Sequence, residues 1–447
     1  MTDLFAARSQ MAMSLGFHII FAVIGIAMPV LMVVAERRWQ RTGDAIFLEL
    51  ARRWAKGTAI LFAVGAVSGT VLSFELGLLW PGFMAEAGAI IGMPFSLEGF
   101  AFFTEAIFLG IYLYGWERVS RRAHLSAGVL VAISGALSGI FVVLVNAWMN
   151  TPTGFDLENG RLVRLDPIAA MLTPTAFAQT LHMTLAAYAA TGFVVAGIHA
   201  LGLLADPLNG FHRRALAVAL LVGAPAALLQ PLSGDLCARV VARTQPAKLA
   251  AMESHFKTER GAPLKIGGWP SGASGETRYA IEIPKGLSLL AFHDPDAEVI
   301  GLDAFAPRDR PPVAVVHIAF QIMVALGFFM AALAAWSLAL TARRQELSSR
   351  RWLLRALVLA APMGFLCIEA GWVVTEVGRQ PWAIHGVLRT ADAVTPMPGL
   401  VVPFTLFTLL YCFLGFIVSW LLYRQVLKSP SAKETDLAVE PSHGVSG

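Results

Sequence analysis

Apolar and polar residues fall in blocks along this chain rather than alternating singly. Long apolar stretches separated by short polar segments recur to about residue 423. A hydrocarbon layer of about 30 Å is crossed by roughly 20 apolar residues as a helix. The stretches that meet this length are 13–35, 57–79, 96–116, 126–148, 178–204, 215–234, 313–340, 353–376 and 399–423. The pattern predicts an all-α, multi-pass membrane protein of about nine transmembrane helices in a lipid bilayer. The first apolar stretch continues from about Met11 to Ala35 without a clear small-residue cleavage site, which predicts a retained helix rather than a secretory signal.

The polar connections alternate in basic charge. Arg37, Arg38, Arg41, Arg52, Arg53 and Lys56 follow the first span, whereas 80–95 holds no Lys or Arg. Basic residues return after spans three (Arg118, Arg121, Arg122), five (Arg213, Arg214), seven (Arg343, Arg344, Arg350, Arg351) and nine (Arg424, Lys428). The positive-inside bias places the N-terminus outside and the C-terminus inside. The chain then divides into helices one to six (1–234), a long outer loop (235–312), helices seven to nine (313–428) and a disordered inner tail (429–447). Asn159-Gly160 between Phe155-Asp156-Leu157-Glu158 and Arg161-Leu162-Val163 predicts an outer hairpin. No internal repeat supports an inverted-repeat transporter.

Composition agrees: 56% of the 447 residues are hydrophobic and 14% charged, against about 25% charged in soluble domains. The net charge of +4 is spread between the apolar stretches and implies no nucleic-acid partner. Cys237, Cys367 and Cys412 form no CxxC or CxxCH, which argues against iron–sulfur clusters, zinc ribbons and covalently attached heme.

Ionisable residues inside spans are costly and usually functional. His18 and His182 lie near the outer ends of spans one and five, where an interfacial residue is the plainer reading. Met323 lies in the outer half of span seven, where packing is the plainer reading. His182 and Met323 enter from the same side, so both could hold one heme iron, a set that suits a low-spin electron-transfer heme. Glu98 and Glu105 are seven apart in span three. Seven residues turn a helix through about 700°, which puts both carboxylates on one face about 10 Å apart. That arrangement suits proton transfer, the alternative being a structural ion pair. Glu369 and Glu376 repeat the spacing in span eight, ahead of Gly378-Arg379-Gln380-Pro381-Trp382. Arg379 suits a propionate or carboxylate partner. Trp372 is counted with the cofactor-binding residues, its plainer reading being an interfacial belt residue like Trp382. His18, His182, Glu98, Met323, Glu376 and Arg379 all fall in the outer half, which predicts a redox or proton-handling site there.

These residues stand in strings that resemble subunit I of the cytochrome bd-type quinol oxidases over roughly residues 1–425. The strings are Arg8-Ser9-Gln10, EGFAFFTE at 98–105, GWER at 115–118, NAWM at 146–149, KLAAME at 248–253, IMVALGF at 322–328 and EAGWVVTEVGRQPW at 369–382. The short outer loop and the run at 97–118 look like the cyanide-insensitive branch. Better-known members carry arginine two positions before the ligating methionine, where this chain has Gln321. They also space the two span-three glutamates eight apart.

The resemblance implies a catalytic subunit in a bacterial cytoplasmic (inner) membrane that oxidises quinol on the periplasmic side and reduces dioxygen to water. It implies three hemes: a low-spin heme b on His182 and Met323, and two high-spin hemes on His18 and Glu376. The high-spin pair is heme b and heme d, or heme b in place of heme d. Arg8 and Arg379 match positions near propionates, Glu98 and Glu105 the acids beside the oxygen-reducing heme, and Lys248 and Glu253 the quinol-binding loop. A second large membrane subunit (subunit II) and a small single-span subunit are implied partners. Two other classes compete: a heme-bearing electron carrier without oxygen reduction, and a proton-coupled transporter.

Overall fold

The computed structural model describes residues 1–158, 161–272 and 274–427. Among these, nine helices are long and apolar enough to cross a membrane. In chain order the elements begin with α1 (Asp3–Thr42), α2 (Ala45–Leu79), α3 (Pro81–Tyr114) and α4 (Arg121–Asn150). The hairpin β1 (Asp156–Glu158)–β2 (Arg161–Val163) and the short α5 (Pro167–Met171) follow. Next come α6 (Ala176–Ala205), α7 (Gly210–Thr244) and α8 (Pro246–Met252). The long insertion holds β3 (Glu259–Arg260), β4 (Leu264–Ile266), β5 (Trp269–Ser271), β6 (Glu276–Arg278), β7 (Ile281–Ile283), α9 (Gly286–Phe292) and β8 (Glu298–Val299). The chain continues through α10 (Val313–Ala342), α11 (Arg351–Ala360) and α12 (Met363–Val377). It closes with β9 (Trp382–Ile384), β10 (Leu388–Arg389), α13 (Thr390–Ala393) and α14 (Val401–Leu422).

The short polar connections serve as helix caps. Thr2, Asp44, Ser120 and Asn209 each accept a backbone N–H at the start of α1, α2, α4 and α7. Gly43 takes a left-handed conformation (φ 72°) that lets α1 turn directly into α2. The main helix pairs are α1 with α2, α3 with α4, α6 with α7 and α10 with α12. Glycines bring α6 and α7 into backbone contact: a Cβ on Gly192 would stand 2.4 Å from the Gly223 Cα. Small residues at such crossings are how membrane helices gain packing without a hydrophobic driving force.

Several predicted boundaries shift. The segment 80–95, expected as a connection, is helical from Pro81, and Trp80 alone separates α2 from α3. The helix expected to end at 234 runs to Thr244, so the insertion begins later than 235. An Asp235–Arg239 pair one turn apart (2.6 Å) supports the extension, which stops before Pro246. The eighth span is broken between α11 and α12 at Ala361-Pro362, because proline cannot supply the helical N–H. His18 lies farther along its helix than expected, since α1 already begins at Asp3. The predicted hairpin is present, with Glu158 opposite Arg161. Its turn residues Asn159 and Gly160, like the tail 429–447, lie outside the described residues.

Candidate functional site

Two histidines share one supporting device. His182 of α6 has its Nδ1 2.9 Å from the Ser233 hydroxyl of α7, and that hydroxyl donates to the Gln230 carbonyl at 2.9 Å. The hydroxyl hydrogen is therefore spent, so Nδ1 donates and Nε2 keeps its lone pair. His18 of α1 has its Nδ1 2.9 Å from the Ser68 hydroxyl of α2, which donates to the Val64 and Gly65 carbonyls at 2.9 and 3.1 Å. The same tautomer follows. In both cases glycine follows the serine: a Cβ on Gly69 would stand 3.0 Å from His18 Cε1, and one on Gly234 3.5 Å from His182 Cε1. Fixing Nδ1–H and presenting Nε2 is how proteins orient an imidazole toward a metal.

Met323 lies on α10, where a Cβ on Gly371 of α12 would stand 3.2 Å from its Sδ. One helical turn beyond His182 and Met323, Ala186 and Gly327 line a small cleft between α6, α7, α10 and α12. Its other walls include Ala189, Ala190, Ala227 and Gly364, and Gln230 reaches it. The amide of Gln230 stands 3.1 Å from His182 Nε2. The alanine and glycine walls of this cleft, one turn from His182 and from Met323, suit a flat apolar cofactor. Trp372 packs against the apolar cluster that includes Ile19, Ala187 and Ile368.

Glu376 stands in a buried polar chain. Its Oε2 accepts from Arg379 Nη2 at 2.5 Å, and its Oε1 accepts from Asn146 Nδ2. Asn150 donates to Asn146 Oδ1 at 3.0 Å, and Lys248 Nζ donates to Asn150 Oδ1. Arg379 is 3% exposed, yet its Nη1 has no hydrogen-bond partner among the described residues. A buried guanidinium with a spare donor fits an anionic group such as a propionate. The insertion thus delivers Lys248 into the same polar chain as Glu376, which its spacing in sequence did not predict. Burial, with the Arg379 charge second, pulls the Lys248 ammonium down to about 7 against the influence of Glu376. Glu253, at the end of α8, is also buried, and its Oε2 has no partner among the described residues. Burial pushes its carboxyl up to about 8, partly offset by the Lys265 charge.

Glu98 and Glu105 both face α4, as their spacing predicts. Ser138 donates to Glu98 Oε1 at 3.0 Å, and a Cβ on Gly135 would meet Glu105 Oε1 at 3.3 Å. Glu105 Oε1 is buried without a hydrogen-bond partner among the described residues. Arg8, by contrast, is exposed, and its side chain makes no hydrogen bond or ion pair among the described residues.

The supporting residues escaped the sequence reading. Ser68-Gly69 and Ser233-Gly234 are the recoverable signal: two Ser-Gly pairs inside apolar stretches. Gln321 gains a role that arginine could not fill. Its Oε1 accepts from Gly267 N at 3.0 Å and its Nε2 donates to the Lys265 carbonyl at 3.1 Å, whereas a guanidinium has no acceptor. It thereby ties the insertion to the helix of Met323.

A sequence profile described as "Cytochrome bd terminal oxidase subunit I" matches residues 6–430. A Bacillus subtilis (strain 168) chain with the provisional name cytochrome bd menaquinol oxidase subunit I is 37% identical, over 98% of this chain and 100% of its own length. The cytochrome bd ubiquinol oxidase subunit 1 of the same organism is 30% identical, over 96% of this chain and 94% of its own. Among solved structures, the bd oxidase from Geobacillus thermodenitrificans superposes with a TM-score of 0.91 at 39% identity, covering 96% of this chain and 99% of that one. Coverage of nearly the whole chain by profile, relatives and structure alike places it: the chain belongs to the cytochrome bd terminal oxidase subunit I family.

Proposed function

We propose that the chain is the catalytic subunit of a quinol oxidase, taking electrons from quinol at the outer face of a bacterial cytoplasmic membrane and reducing dioxygen to water. The N-terminus lies outside in this reading, and the site stands under the insertion 245–312. The observation that carries it is the paired histidine support, in which Ser68 and Ser233 hold Nδ1 of His18 and His182 and leave each Nε2 lone pair for a metal ion.

In this reading His182 and Met323 hold a low-spin heme b, and His18 and Glu376 hold the two high-spin hemes, heme b with heme d or with a further heme b. Bound heme supplies the one-electron steps that match a two-electron quinol to a four-electron acceptor. Two quinols and one dioxygen then give two quinones and two waters. Lys248 Nζ donates to a quinol oxygen and Glu253 Oε2 takes a hydroxyl proton; their shared burial keeps water from the head group. Arg379 Nη1 and Arg8 neutralise propionates, and Trp372 is a further cofactor-binding residue. Glu98 and Glu105 hold protons beside the oxygen-reducing centre. A subunit II completes the oxidase, with a small single-span subunit as a further partner.

The test is a Met323→Leu substitution. The reduced-minus-oxidised spectrum should lose the low-spin heme signal, with extracted heme giving the heme b and d content of the parent protein. An unchanged spectrum would sink the ligand assignment. An oxygen electrode separates the alternatives, because an electron carrier shows heme absorbance without quinol-driven oxygen consumption.

A further inference from the structure

A titratable pair outside the redox site lies at the arginine-rich ends of α1, α3 and α4. Glu36 of α1 is 0% exposed and His124 of α4 is 2% exposed. His124 Nε2 lies 2.9 Å from the Tyr112 carbonyl of α3. A carbonyl only accepts, so Nε2 carries a hydrogen. His124 Nδ1 lies 3.0 Å from Glu36 Oε1. A neutral imidazole of that tautomer beside an ionised carboxylate would set lone pair against lone pair. One proton therefore occupies the contact, on His124 Nδ1 or on Glu36.

The surroundings suit a group that gains and loses that proton. Gln40 Nε2 donates to the same Oε1 at 2.8 Å and to the Arg121 carbonyl at 3.0 Å. Glu36 Oε2 is buried with no hydrogen-bond partner among the described residues. No lysine or arginine pairs with Glu36 among the described residues. The nearby cations are held off by aromatic rings, Arg121 over Trp39 at 5.0 Å and Arg52 over Trp116 at 5.2 Å, and Arg37 and Arg38 are exposed. The Tyr112 and Trp116 rings lie 4.5 and 4.0 Å from the His124 ring.

The pair shares a seam with Glu105. Tyr112 follows Glu105 by seven residues on α3, two turns and about 10 Å farther along one face. On α4 the same interval separates Gly128, whose Cβ would meet the Tyr112 ring at 2.6 Å, from Gly135, whose Cβ would meet Glu105 at 3.3 Å. Both glycines also approach α1, at Val33 and at the Gly25 carbonyl. Met32, Leu109 and Val131 are buried between the two stations, so a proton crosses there only with water in the seam.

We propose that Glu36 and His124 form the proton-loading pair on the arginine-rich side, supplying Glu105 along the α1–α3–α4 seam for dioxygen reduction. One proton arrives from solvent past Gln40 as one leaves toward Glu105. No heavy-atom bond changes and no electron moves. The proposal rests on the oxidase reading above.

The test uses the complete oxidase with Glu36→Gln, Glu36→Asp and His124→Gln. Oxygen consumption at saturating quinol should fall about a hundredfold in Glu36→Gln, the lower end of the range for losing a proton-transfer group. The quinol KM and the anaerobic rate of heme reduction by quinol should stay at the parent values. The solvent isotope effect should rise, and Glu36→Asp should restore most of the turnover. Parent turnover and isotope effect in a Glu36→Gln oxidase with a normal heme spectrum overturn the proposal. So does an equal loss of anaerobic heme reduction, which marks a structural role. If Glu36→Gln does not assemble, His124→Gln should show the same turnover loss; parent turnover there, or failure of both to assemble, also overturns it. A parent oxidase that consumes no oxygen with quinol refutes the oxidase reading instead.

Discussion

Replacing Glu253 with Gln keeps the shape of the side chain and removes its titration. Burial holds the carboxyl at about 8 instead of 4.5. Below that value the ionised fraction grows about tenfold per pH unit. If the ionised form takes the quinol proton, the ratio of kcat/KM between the parent and Glu253→Gln should climb about tenfold per unit from pH 6 and level beyond about 8. Lys248 loses its charge over part of this range, but it is present in both proteins and cancels in the ratio. Stability moves the opposite way. The folded state holds its proton more tightly than the unfolded chain, so the contribution is full below 4.5 and is lost as pH rises toward about 8. At 1.36 kcal/mol per unit the window amounts to about 5 kcal/mol, an order-of-magnitude figure. The assay is quinol-dependent oxygen consumption at several pH values, with thermal unfolding of both proteins at pH 5 and pH 8. A ratio that stays flat across pH would refute Glu253 as the proton acceptor.

Gln321→Arg should leave the Gly267 N–H without its acceptor and loosen the insertion. The expected result is a several-fold rise in quinol KM, about what a lost hydrogen bond of ~1 kcal/mol gives, with the anaerobic heme spectrum kept. Gly192→Ala places a methyl 2.4 Å from the Gly223 Cα and should destabilise the protein by about 1–3 kcal/mol, read as a lowered Tm in detergent.

The helices were legible because crossing a bilayer demands a length of apolar chain that few other structures need. Their ends were not, since polar residues such as Asp235 and Arg239 extend a helix beyond the apolar run without altering hydropathy. The common face of Glu98 and Glu105 followed from helical geometry alone. Lys248 and Glu253 did not: the resemblance alone singled them out, and their burial depends on the packing of α8 against α7 and α10. Glu36 and His124 were equally hidden. Each is an isolated polar residue in sequence, and the proton they share exists only once α1 and α4 meet. The Ser-Gly pairs behind His18 and His182 lay in plain view, but a serine in an apolar helix usually satisfies itself on the preceding turn. These do so, and they use the remaining lone pair to hold the imidazole.

The glycine contact between α6 and α7 bears on how the molecule comes apart. A Cβ on Gly364 would likewise stand 2.4 Å from the Ala190 Cα, and one on Gly197 2.8 Å from the Leu357 carbonyl. So α6 is locked against α7, α11 and α12 by close van der Waals contact, which owes little to the surrounding solvent. The insertion is held by paired strands of two or three residues, by polar groups that water can replace, and by a small apolar cluster around Leu249, Leu287 and Val299. On heating, or in harsher detergent, the insertion should loosen while α6 stays seated. Proteases would then cut first within 245–312, and a quinol site would be lost before the post that carries His182 moves.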